Sequence, residues 1–440
     1  MTGIAIKGMG VALPGENGIK GTPLDGKSIL GIMLGGKKNF IRKKTLTRME
    51  RLISLVEARS GIKIRNILND DSVKYPSSYL AFEAAKKTLE NTGISPSNIQ
   101  GMICATDTAD FVYPRLTGVV ARLLGIKMIR QSLNVPMACT SISSALQSAA
   151  NWLDKGLCDN VLVLAGDVTS RLRLPQNRIE PYIFGDGFVG IYLEKGKESD
   201  KGGFKFSNVS EDISIADAFV HRRIYASQLG YLNSELQENY QDNDTGLDIL
   251  GEIDALELSY LFQDYLTNSG ESVDENMKII LPQLGKLLVE KGIRNFKQDT
   301  GIDVKPRVVS NSAFNHGNLG AGAIPLAWYE GIKSGEIKSD NSVIFDIAGV
   351  GGVKTVFKWD PKVSDSISFV KIASMVKRPD YEKMVKDVLA ESVRKAKDKG
   401  YKTPSLNKLT ARDGVIKFES INPPRREMGN IEDIIQNLRL

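Results

Sequence analysis

The chain has few of the residues that bind metals or form disulfides. Its 440 residues include only Cys104, Cys139 and Cys158, together with His221 and His316. Three scattered cysteines are too few for a disulfide framework, and with two histidines they do not form the spacing of a zinc or haem site. We therefore expect no metal site and no fold that depends on disulfides.

Long apolar runs are also missing. No stretch approaches the roughly 20 apolar residues that span a bilayer. The first residues, MTGIAIKGMG, lack the basic segment and long apolar core of a secretory signal. The composition, 42% hydrophobic and 25% charged, is that of a globular protein. We predict a cytoplasmic protein without a membrane span, long enough for two or three domains.

The net charge of +6 is concentrated at one end of the chain. Pro361 to Leu440 contain 17 basic and 11 acidic residues, so the remainder is neutral overall. A second basic run, KKNFIRKKTLTRMER, covers Lys37 to Arg51. Both suit an acidic or phosphorylated partner such as a carrier protein or coenzyme A, although solvated helix faces are the simpler explanation. Nucleic acid is not expected, because no aromatic residues alternate with the basic ones.

Two parts of the chain repeat one plan. SLNVPMA leads through a helical pattern to the apolar run Asp159–Asp167, and RVVSNSAFNHGN leads through another to Asp340–Gly349. Each is followed by a glycine-containing strand pattern, Phe184–Lys195 and Gly349–Trp359. Alternating strands and helices predict α/β layers with sheets covered on both faces. We expect two similar halves whose special loops face one cleft, the alternative being chance similarity of ordinary α/β segments.

These patterns divide the chain into three parts. Residues 1–195 form the first half, residues 196–360 the second, and residues 361–440 a basic C-terminal extension. Residues 233–246, NSELQENYQDNDTG, are expected to be an exposed insertion. In the extension, apolar residues between Tyr381 and Val393 recur at helical spacing, which predicts a helix that packs against another element.

Cys139 occupies a chemically distinctive place. It lies in VPMACTSISSAL, between a predicted strand and a predicted helix. The N–H groups and dipole at a helix N-terminus stabilise a thiolate, which is what a nucleophilic cysteine requires. From this pattern alone a buried structural cysteine remains the alternative, and we assign that role to Cys104 and Cys158.

A set of ordered motifs resembles a known family. GVALP, ARSGI, FVYP, VPMACTSISSAL, LVLAGDVTSRL, FGDG, HGNLGAGAIPLAW and AGVGG occur in the order found in β-ketoacyl-acyl-carrier-protein synthase III of the thiolase superfamily. The resemblance covers about residues 3 to 358. It implies a thiolase-type fold with two duplicated α/β halves, layered α-β-α-β-α, followed here by the C-terminal extension.

The resemblance also implies a reaction. In this family the cysteine takes an acyl group from a thioester, and a histidine and an asparagine hold a malonyl thioester while it loses carbon dioxide. The cysteine corresponds to Cys139 and the asparagine to Asn318, for which a turn-forming role is the alternative. The histidine should follow the proline of a VPHQAN-like segment, but here IILPQLGK places Gln283 there. A glutamine amide can donate a hydrogen bond to an enolate oxygen but cannot take up a proton.

Other family positions follow. The backbone N–H groups of Cys139 and Gly351 correspond to an oxyanion hole, with a plain hairpin turn as the alternative for Gly351. Asp186 of FGDG is expected to brace the fold. His316, two residues before Asn318, corresponds to a histidine without a catalytic role, and His221 lies in a region that matches nothing.

Substrate entry is expected near Arg59 and Arg171, which match positions at the phosphopantetheine entrance. The aromatic residue on which adenine would stack is replaced by Leu55, which weakens a preference for coenzyme A. Tyr113 of FVYP matches an aromatic residue that reaches the acyl pocket of a neighbouring subunit, which implies a homodimer. Arg59 and Arg171 could instead form surface ion pairs, and Tyr113 could be a core aromatic.

We therefore expect an acyltransferase that condenses acyl-Cys139 with a malonyl-type thioester in a specialised fatty acid or polyketide pathway. Acyl-coenzyme A or an acyl carrier protein would be a substrate, and no bound cofactor is expected. One alternative is acyl transfer to an amine or another acceptor without decarboxylation. Another is a silent partner subunit of a heteromeric ketosynthase.

Overall fold

The computed structural model describes most of the two predicted halves. The described residues are 3–34, 43–172, 180–196, 202–207, 210–211, 261–283, 285–349, 353–363 and 366–370, together with the backbone of 410–412 and 415–417. The predicted insertion at 233–246, the predicted helix around residues 381–393, His221 and Gly351 lie outside the described residues.

The strands in chain order are β1 (Ile4–Ala12), β2 (Thr22–Leu24), β3 (Arg65–Ile67), β4 (Gly101–Ala105), β5 (Gln131–Val135), β6 (Asn160–Val168), β7 (Asp186–Lys195), β8 (Gly203–Ser207), β9 (Ser210–Glu211), β10 (Met277–Ile280), β11 (Ser342–Gly349), β12 (Val353–Asp360), β13 (Ile367–Val370), β14 (Thr410–Arg412) and β15 (Val415–Lys417). The helices are α1 (Gly26–Met33), α2 (Lys43–Ser60), α3 (Pro76–Thr92), α4 (Leu116–Leu123), α5 (Ser141–Asp154), α6 (Lys286–Thr300), α7 (Ala313–His316) and α8 (Ala323–Lys333), with a further helical segment over residues 261–269.

The two main sheets confirm the duplication. The first has the order β1-β7-β6-β4-β5, and the second has β10-β11-β12-β8-β13 with β9 paired to β12. In each sheet an antiparallel pair, β6 with β7 or β11 with β12, adjoins a parallel pair, β4 with β6 or β10 with β11. The counterpart of β5 is reduced to one parallel bridge between Ile279 and Val308. β13, which follows residue 360, adds a further strand beside β8.

Helices α5 and α8 form the central layer between the sheets. Their apolar residues share one core cluster with β6 and β11; these include Ile142, Ala145 and Leu146 of α5, Ile324 and Trp328 of α8, Val163 of β6 and Phe345 of β11. Small alanines on α5 allow a close approach to both sheets. The buried central layer explains why the strand patterns are almost continuously apolar.

The outer faces of both sheets are covered as well. Leu162 and Leu164, which alternate with the inward residues of β6, pack beneath α3 and α4. Ile279 of β10 and Ile344 of β11 pack beneath α6 and the 261–269 segment. The layers are therefore α-β-α-β-α, as in the thiolase-type fold. Within the described ranges, every helix is too short or too polar to cross a lipid bilayer.

Candidate active site

Cys139 lies at the predicted strand-to-helix junction. A 3-10 turn, Ala138–Thr140, follows β5 and runs directly into α5 at Ser141. The Ser141 hydroxyl accepts a hydrogen bond from the Met137 N–H and donates one to the Ala138 carbonyl, each over 2.7 Å. The Thr140 hydroxyl donates to the Met137 carbonyl over 2.6 Å. The hydroxyls that flank Cys139 therefore hold its turn in a single shape.

This turn contains backbone strain. Ala138 has a φ of +49°, in the left-handed region that residues with a side chain seldom adopt. Such a conformation costs of order 1–3 kcal/mol and persists only where neighbouring contacts enforce it. Ser141 supplies those contacts, because its hydroxyl binds the carbonyl of Ala138 itself. The strained residue immediately precedes Cys139.

The three cysteines differ in their surroundings. Cys104 and Cys158 are fully buried, and burial raises the pKa of both thiols. The prediction that these two are core residues is confirmed. Cys139 is only partly buried and packs against the central core. Of the three cysteines, Cys139 is therefore the one that is not fully buried.

The NHGN loop of the second half contacts the FGDG segment of the first half. Asn318 follows α7, and its backbone pairs with the chain around the FGDG segment. Its N–H donates to the Ile183 carbonyl over 2.9 Å, and its carbonyl accepts from the Gly185 N–H over 3.0 Å. Gly317, at a φ of +76°, passes so close to Gly185 that a methyl group on it would lie 2.6 Å from the Gly185 nitrogen. The next turn, Gly320–Gly322, lies beside the Cys139 turn.

Asn318 and Gln283 are directly linked. The Asn318 Nδ2 donates to the backbone carbonyl of Gln283 over 2.9 Å, while its Oδ1 accepts from the Gly320 N–H over 2.8 Å. Both side chains are buried, with 2% and 4% exposure respectively. The structure thus brings together two residues that are 35 positions apart and that the family resemblance assigns to one site.

The side chain of Gln283 is fixed by three further bonds. Its Oε1 accepts from the Ser312 N–H over 2.9 Å and from the Ser312 hydroxyl over 3.2 Å. Its Nε2 donates to the Leu281 carbonyl over 2.8 Å. Both amide oxygens of the Asn318–Gln283 pair are therefore occupied, whereas each amide nitrogen has a second hydrogen beyond these bonds. Toward a substrate the pair can act as a hydrogen-bond donor, not as a proton acceptor.

Gly349, the last residue of β11, also lies against the Cys139 turn. A methyl group at Gly349 would lie 3.5 Å from the Cys139 nitrogen and 3.3 Å from the Thr140 Cγ2. Gly351, assigned from the sequence to the oxyanion hole, comes two residues later and lies outside the described residues. Its role stays a prediction.

Two other motif residues have structural partners. The buried Asp186 carboxylate accepts hydrogen bonds from the N–H groups of Leu68, over 2.8 Å, and Ser170, over 2.9 Å, which confirms that it braces the fold. His316 Nδ1 lies 2.9 Å from Asn66 Oδ1, and its Nε2 lies 2.8 Å from a Glu330 carboxylate oxygen. Both ring nitrogens are engaged by protein, in keeping with the expectation that His316 is not a catalyst.

Helix α2 presents a basic surface next to Gln283. We call its exposed stripe the cationic face of α2; it consists of Lys44, Arg48, Arg51, Leu55 and Arg59. These residues recur every three or four positions and therefore share one side of the helix. A methyl group at Gly285, two residues after Gln283, would lie 3.7 Å from the Arg59 carbonyl oxygen. The backbone of Arg171 lies in the turn Thr169–Leu172, which follows β6.

Tyr113 lies near β5, the strand that precedes Cys139. Its side chain is 83% exposed, as is that of Met128 just before β5. The chain between them is tied to β5, since the Arg115 guanidinium donates to the Ser132 carbonyl over 3.2 Å. β5 is an edge strand of the first sheet. Tyr113 is thus a surface residue, and the alternative that it is a core aromatic is wrong.

Comparison with known proteins gives one family repeatedly. A family model described as 3-oxoacyl-[acyl-carrier-protein] synthase III matches residues 133–212. The β-ketoacyl-[acyl-carrier-protein] synthase III of Ehrlichia canis is 27% identical over 323 residues, which cover 72% of this chain and 94% of that protein.

Solved structures give the same fold. The 3-oxoacyl-[acyl-carrier-protein] synthase III of Aquifex aeolicus superposes with a TM-score of 0.61 at 21% identity, covering 81% of this chain and 100% of that one. The tetronic acid condensing enzyme AbyA1 superposes with a TM-score of 0.58 at 18% identity, covering 81% and 99%.

Proposed function

We propose that this chain is a β-ketoacyl-[acyl-carrier-protein] synthase III-like acyltransferase of the thiolase superfamily, and that it condenses an acyl group held on Cys139 with a malonyl-type thioester. The observation that carries the proposal is the donor-only pair of Gln283 and Asn318, linked over 2.9 Å. We place both residues, with Cys139, in the catalytic machinery.

In the first step the Cys139 thiolate attacks the carbonyl carbon of an acyl thioester. A new carbon–sulfur bond forms, and the bond to the carrier thiol breaks, so that the carrier leaves as a thiolate that water protonates. The N–H groups of Cys139 and Gly351 would hold the transient oxyanion, the role the family resemblance implies for them. The position of the turn at the N-terminus of α5 supports this step, because the helix dipole favours the thiolate.

In the second step a malonyl thioester loses carbon dioxide. The electron pair of the broken carbon–carbon bond moves onto the thioester oxygen, where the remaining N–H groups of Gln283 and Asn318 stabilise the enolate. The enolate carbon then attacks the acyl-Cys139 carbonyl, a carbon–carbon bond forms, and Cys139 leaves as a thiolate. No proton needs to be taken from the nucleophile, which suits two amides whose oxygens are already occupied.

This donor-only character weighs against the first alternative. Transfer to an alcohol or a protonated amine needs a group that accepts a proton, and neither amide of the pair can do so. The silent-subunit alternative predicts no acyl-enzyme at all. The departure from histidine at Gln283 and the C-terminal extension support a specialised pathway rather than general fatty acid synthesis.

The acyl and malonyl groups would be delivered by an acidic carrier protein. The cationic face of α2 has no carboxylate, and it ends at Arg59 beside the segment that carries Gln283. Leu55, 48% exposed, stands where an aromatic residue would stack on adenine, which supports a carrier protein over coenzyme A. We include Arg59 and Arg171 in the proposed entrance.

We also propose a cytoplasmic homodimer. An edge strand flanked by exposed apolar side chains invites association with another sheet edge. β5 is such a strand, and Tyr113 and Met128 lie beside it. Tyr113 would reach the acyl pocket of the second copy.

Intact mass spectrometry tests the proposal. The full-length protein is incubated with a panel of acyl-coenzyme A and acyl-carrier thioesters, and then with malonyl thioester or candidate amines. An acyl adduct followed by carbon dioxide release supports condensation. An amide product supports the first alternative, and the absence of an adduct with every donor supports the silent subunit.

A further inference from the structure

We propose that Ser312 is a positioning residue that orients the side-chain amide of Gln283, so that its nitrogen rather than its oxygen is left for the thioester oxygen of the malonyl substrate. This inference rests on the proposed function. It assigns no contact with substrate to Ser312 itself.

The orientation of the Gln283 amide follows from the chemistry of its partners. Ser312 offers its backbone N–H, which can only donate, 2.9 Å from Oε1. The Leu281 carbonyl, which can only accept, lies 2.8 Å from Nε2. With the amide turned over, an NH2 group would face the Ser312 N–H and an oxygen would face the Leu281 carbonyl. Both bonds would be replaced by repulsive contacts, so a single orientation is stable.

Ser312 is itself held in place beside the strand that leads to Gln283. The Val309 N–H donates to the Ile279 carbonyl of β10 over 2.8 Å, which anchors the segment before Ser312. Asn311 Oδ1 accepts from the Ala313 N–H over 2.9 Å at the start of α7. Ser312 is 3% exposed. The backbone N–H and the hydroxyl that donate to Gln283 therefore belong to a residue in a segment fixed by hydrogen bonds.

Orientation matters more for an amide than for an imidazole that donates through one N–H. An amide has an oxygen and a nitrogen of similar size at the two ends of its plane. Aimed with its nitrogen at a developing enolate oxygen, Gln283 stabilises negative charge, whereas aimed with its oxygen it repels that charge. A glutamine in this position therefore works only where its two ends are distinguished, which Ser312 does at the oxygen and the Leu281 carbonyl does at the nitrogen.

The first test is Ser312→Ala, which removes the hydroxyl and keeps the backbone N–H. The net contribution of one ordinary hydrogen bond corresponds to a factor of about 2 to 13, so we expect carbon dioxide release from malonyl thioester to slow by that factor. KM should not change, and acylation of Cys139 should stay within about twofold of wild type, because Ser312 acts only through Gln283.

Ser366→Ala is the matched control. The Ser366 hydroxyl is buried and donates to a side-chain oxygen, Asp154 Oδ1, over 2.7 Å. Asp154 ends α5, the helix that begins beside Cys139, so Ser366 lies roughly 20 Å from the cysteine turn. We expect this variant to retain wild-type decarboxylation. Equal rates of carbon dioxide release in Ser312→Ala and Ser366→Ala would overturn the role of Ser312. They would leave the proposed function untouched.

The second test uses Gln283→Glu, in which a carboxyl oxygen replaces Nε2 opposite the Leu281 carbonyl. The protonated acid has one hydrogen where Nε2 has two, so it can donate either to the Leu281 carbonyl or to the substrate oxygen, and the carboxylate can donate to neither. The reduced condensing activity that this variant keeps should therefore be highest at low pH and lost as the pH rises through the pKa of that carboxyl. Ser312 and Leu281, the partners of the Gln283 side chain, do not titrate. Adding Ser312→Ala removes a hydrogen bond to the carboxylate, which raises its pKa and moves the midpoint upward by about one pH unit.

A general loosening of the fold would lower the rates of both variants without moving this midpoint. An unchanged midpoint in the double variant would therefore overturn the role of Ser312. Absence of carbon dioxide release from the wild-type protein with every thioester would overturn the proposed function, and the role of Ser312 with it.

Discussion

The side-chain nitrogen of Asn318 donates a hydrogen bond to the backbone carbonyl of Gln283 over 2.9 Å. This bond ties the loop after α7 to the segment that follows β10, so that the two amides of the proposed enolate site are held close together. The bond is made by the backbone of Gln283 and does not depend on which side chain occupies position 283. The site can therefore accept a glutamine in place of a histidine without losing the placement of Asn318.

Asn318→Ala removes one enolate donor and the tether to Gln283. Loss of one such donor typically costs 10²- to 10³-fold in rate, and we expect carbon dioxide release to fall by about that factor. Acylation of Cys139 should persist, since it uses different donors. Asn341→Ala is the control, because Asn341 is also buried and its Oδ1 also accepts a backbone hydrogen bond, from Lys338 over 2.9 Å. Equal decarboxylation in the two variants would contradict the assignment of Asn318.

Gln283→His and Gln283→Leu test whether position 283 must donate a hydrogen bond or need only fill space. The histidine variant restores a family donor, and we expect it to retain or raise condensation. The leucine variant has no donor and should lose about 10²- to 10³-fold in carbon dioxide release. Malonyl decarboxylation assayed on the preformed acyl-enzyme compares the two. Loss of turnover in the histidine variant with activity in the leucine variant would show that position 283 donates no hydrogen bond in the reaction.

The cationic face of α2 can be tested by charge reversal. Arg48→Glu with Arg51→Glu replaces two contacts to an acidic carrier by repulsions. Exposed ion pairs are each worth up to about 1 kcal/mol, so KM for an acyl carrier protein should rise about tenfold. KM for the same acyl group on pantetheine alone should not change. Lys338→Glu changes an exposed charge between α8 and β11, outside the cationic face of α2, and should leave both values as in wild type. An increase in KM for both donors would contradict a docking role.

The N-terminal cap of α1, the helix that contacts α2, is expected to contribute to stability in a pH-dependent way. Asp25 caps α1 by accepting from the Ser28 N–H over 2.8 Å, and hydrogen bonds from Ser28 lower the pKa of the Asp25 carboxyl. A lowered folded-state pKa gives stability that is present above the unfolded value of about 3.9 and lost as the pH falls through the folded value. Asp25→Ala should therefore lower the free energy of unfolding by about 1 kcal/mol at pH 7, and by less below pH 3.

Denaturant unfolding of wild type and Asp25→Ala at both pH values measures this difference. Asp25→Asn keeps a capping oxygen but not the charge, so at pH 7 it should lose less stability than Asp25→Ala but more than none. A loss in Asp25→Ala that is the same at pH 7 and below pH 3 would show that the carboxylate charge contributes nothing to the cap.

Local patterns predicted the elements that carry the site. The Cys139 turn, the buried strand β6 and the repeated plan of the two halves all follow from apolar periodicity and from the residues at helix ends. The predicted strands Asp159–Asp167 and Asp340–Gly349 correspond to Asn160–Val168 and Ser342–Gly349. Their polar first residues, Asp159 and Asp340, lie just outside the sheets.

The bonds that set chemistry at the site were beyond such patterns. Ser312 and Gln283 are 29 positions apart, and the pairing of Val308 with Ile279 is a long-range contact that helps bring their segments together. Ser141 looks like any polar residue at a helix start, although its hydroxyl holds the strained Ala138. The repeated plan would place a strand in RVVSNSAFNHGN as in SLNVPMA, but in the described chain this segment pairs with β10 through one bridge, between Val308 and Ile279.

The most direct measurement is the mass of the full-length protein after exposure to acyl-carrier thioesters, followed by peptide mapping. We expect an increase equal to one acyl group, located on the peptide that contains Cys139 and absent in Cys139→Ala. Cys104 and Cys158 should remain unmodified because both are buried. An unchanged mass with every donor, or an acyl group that persists in Cys139→Ala, would contradict the proposal that this thiol carries the acyl group.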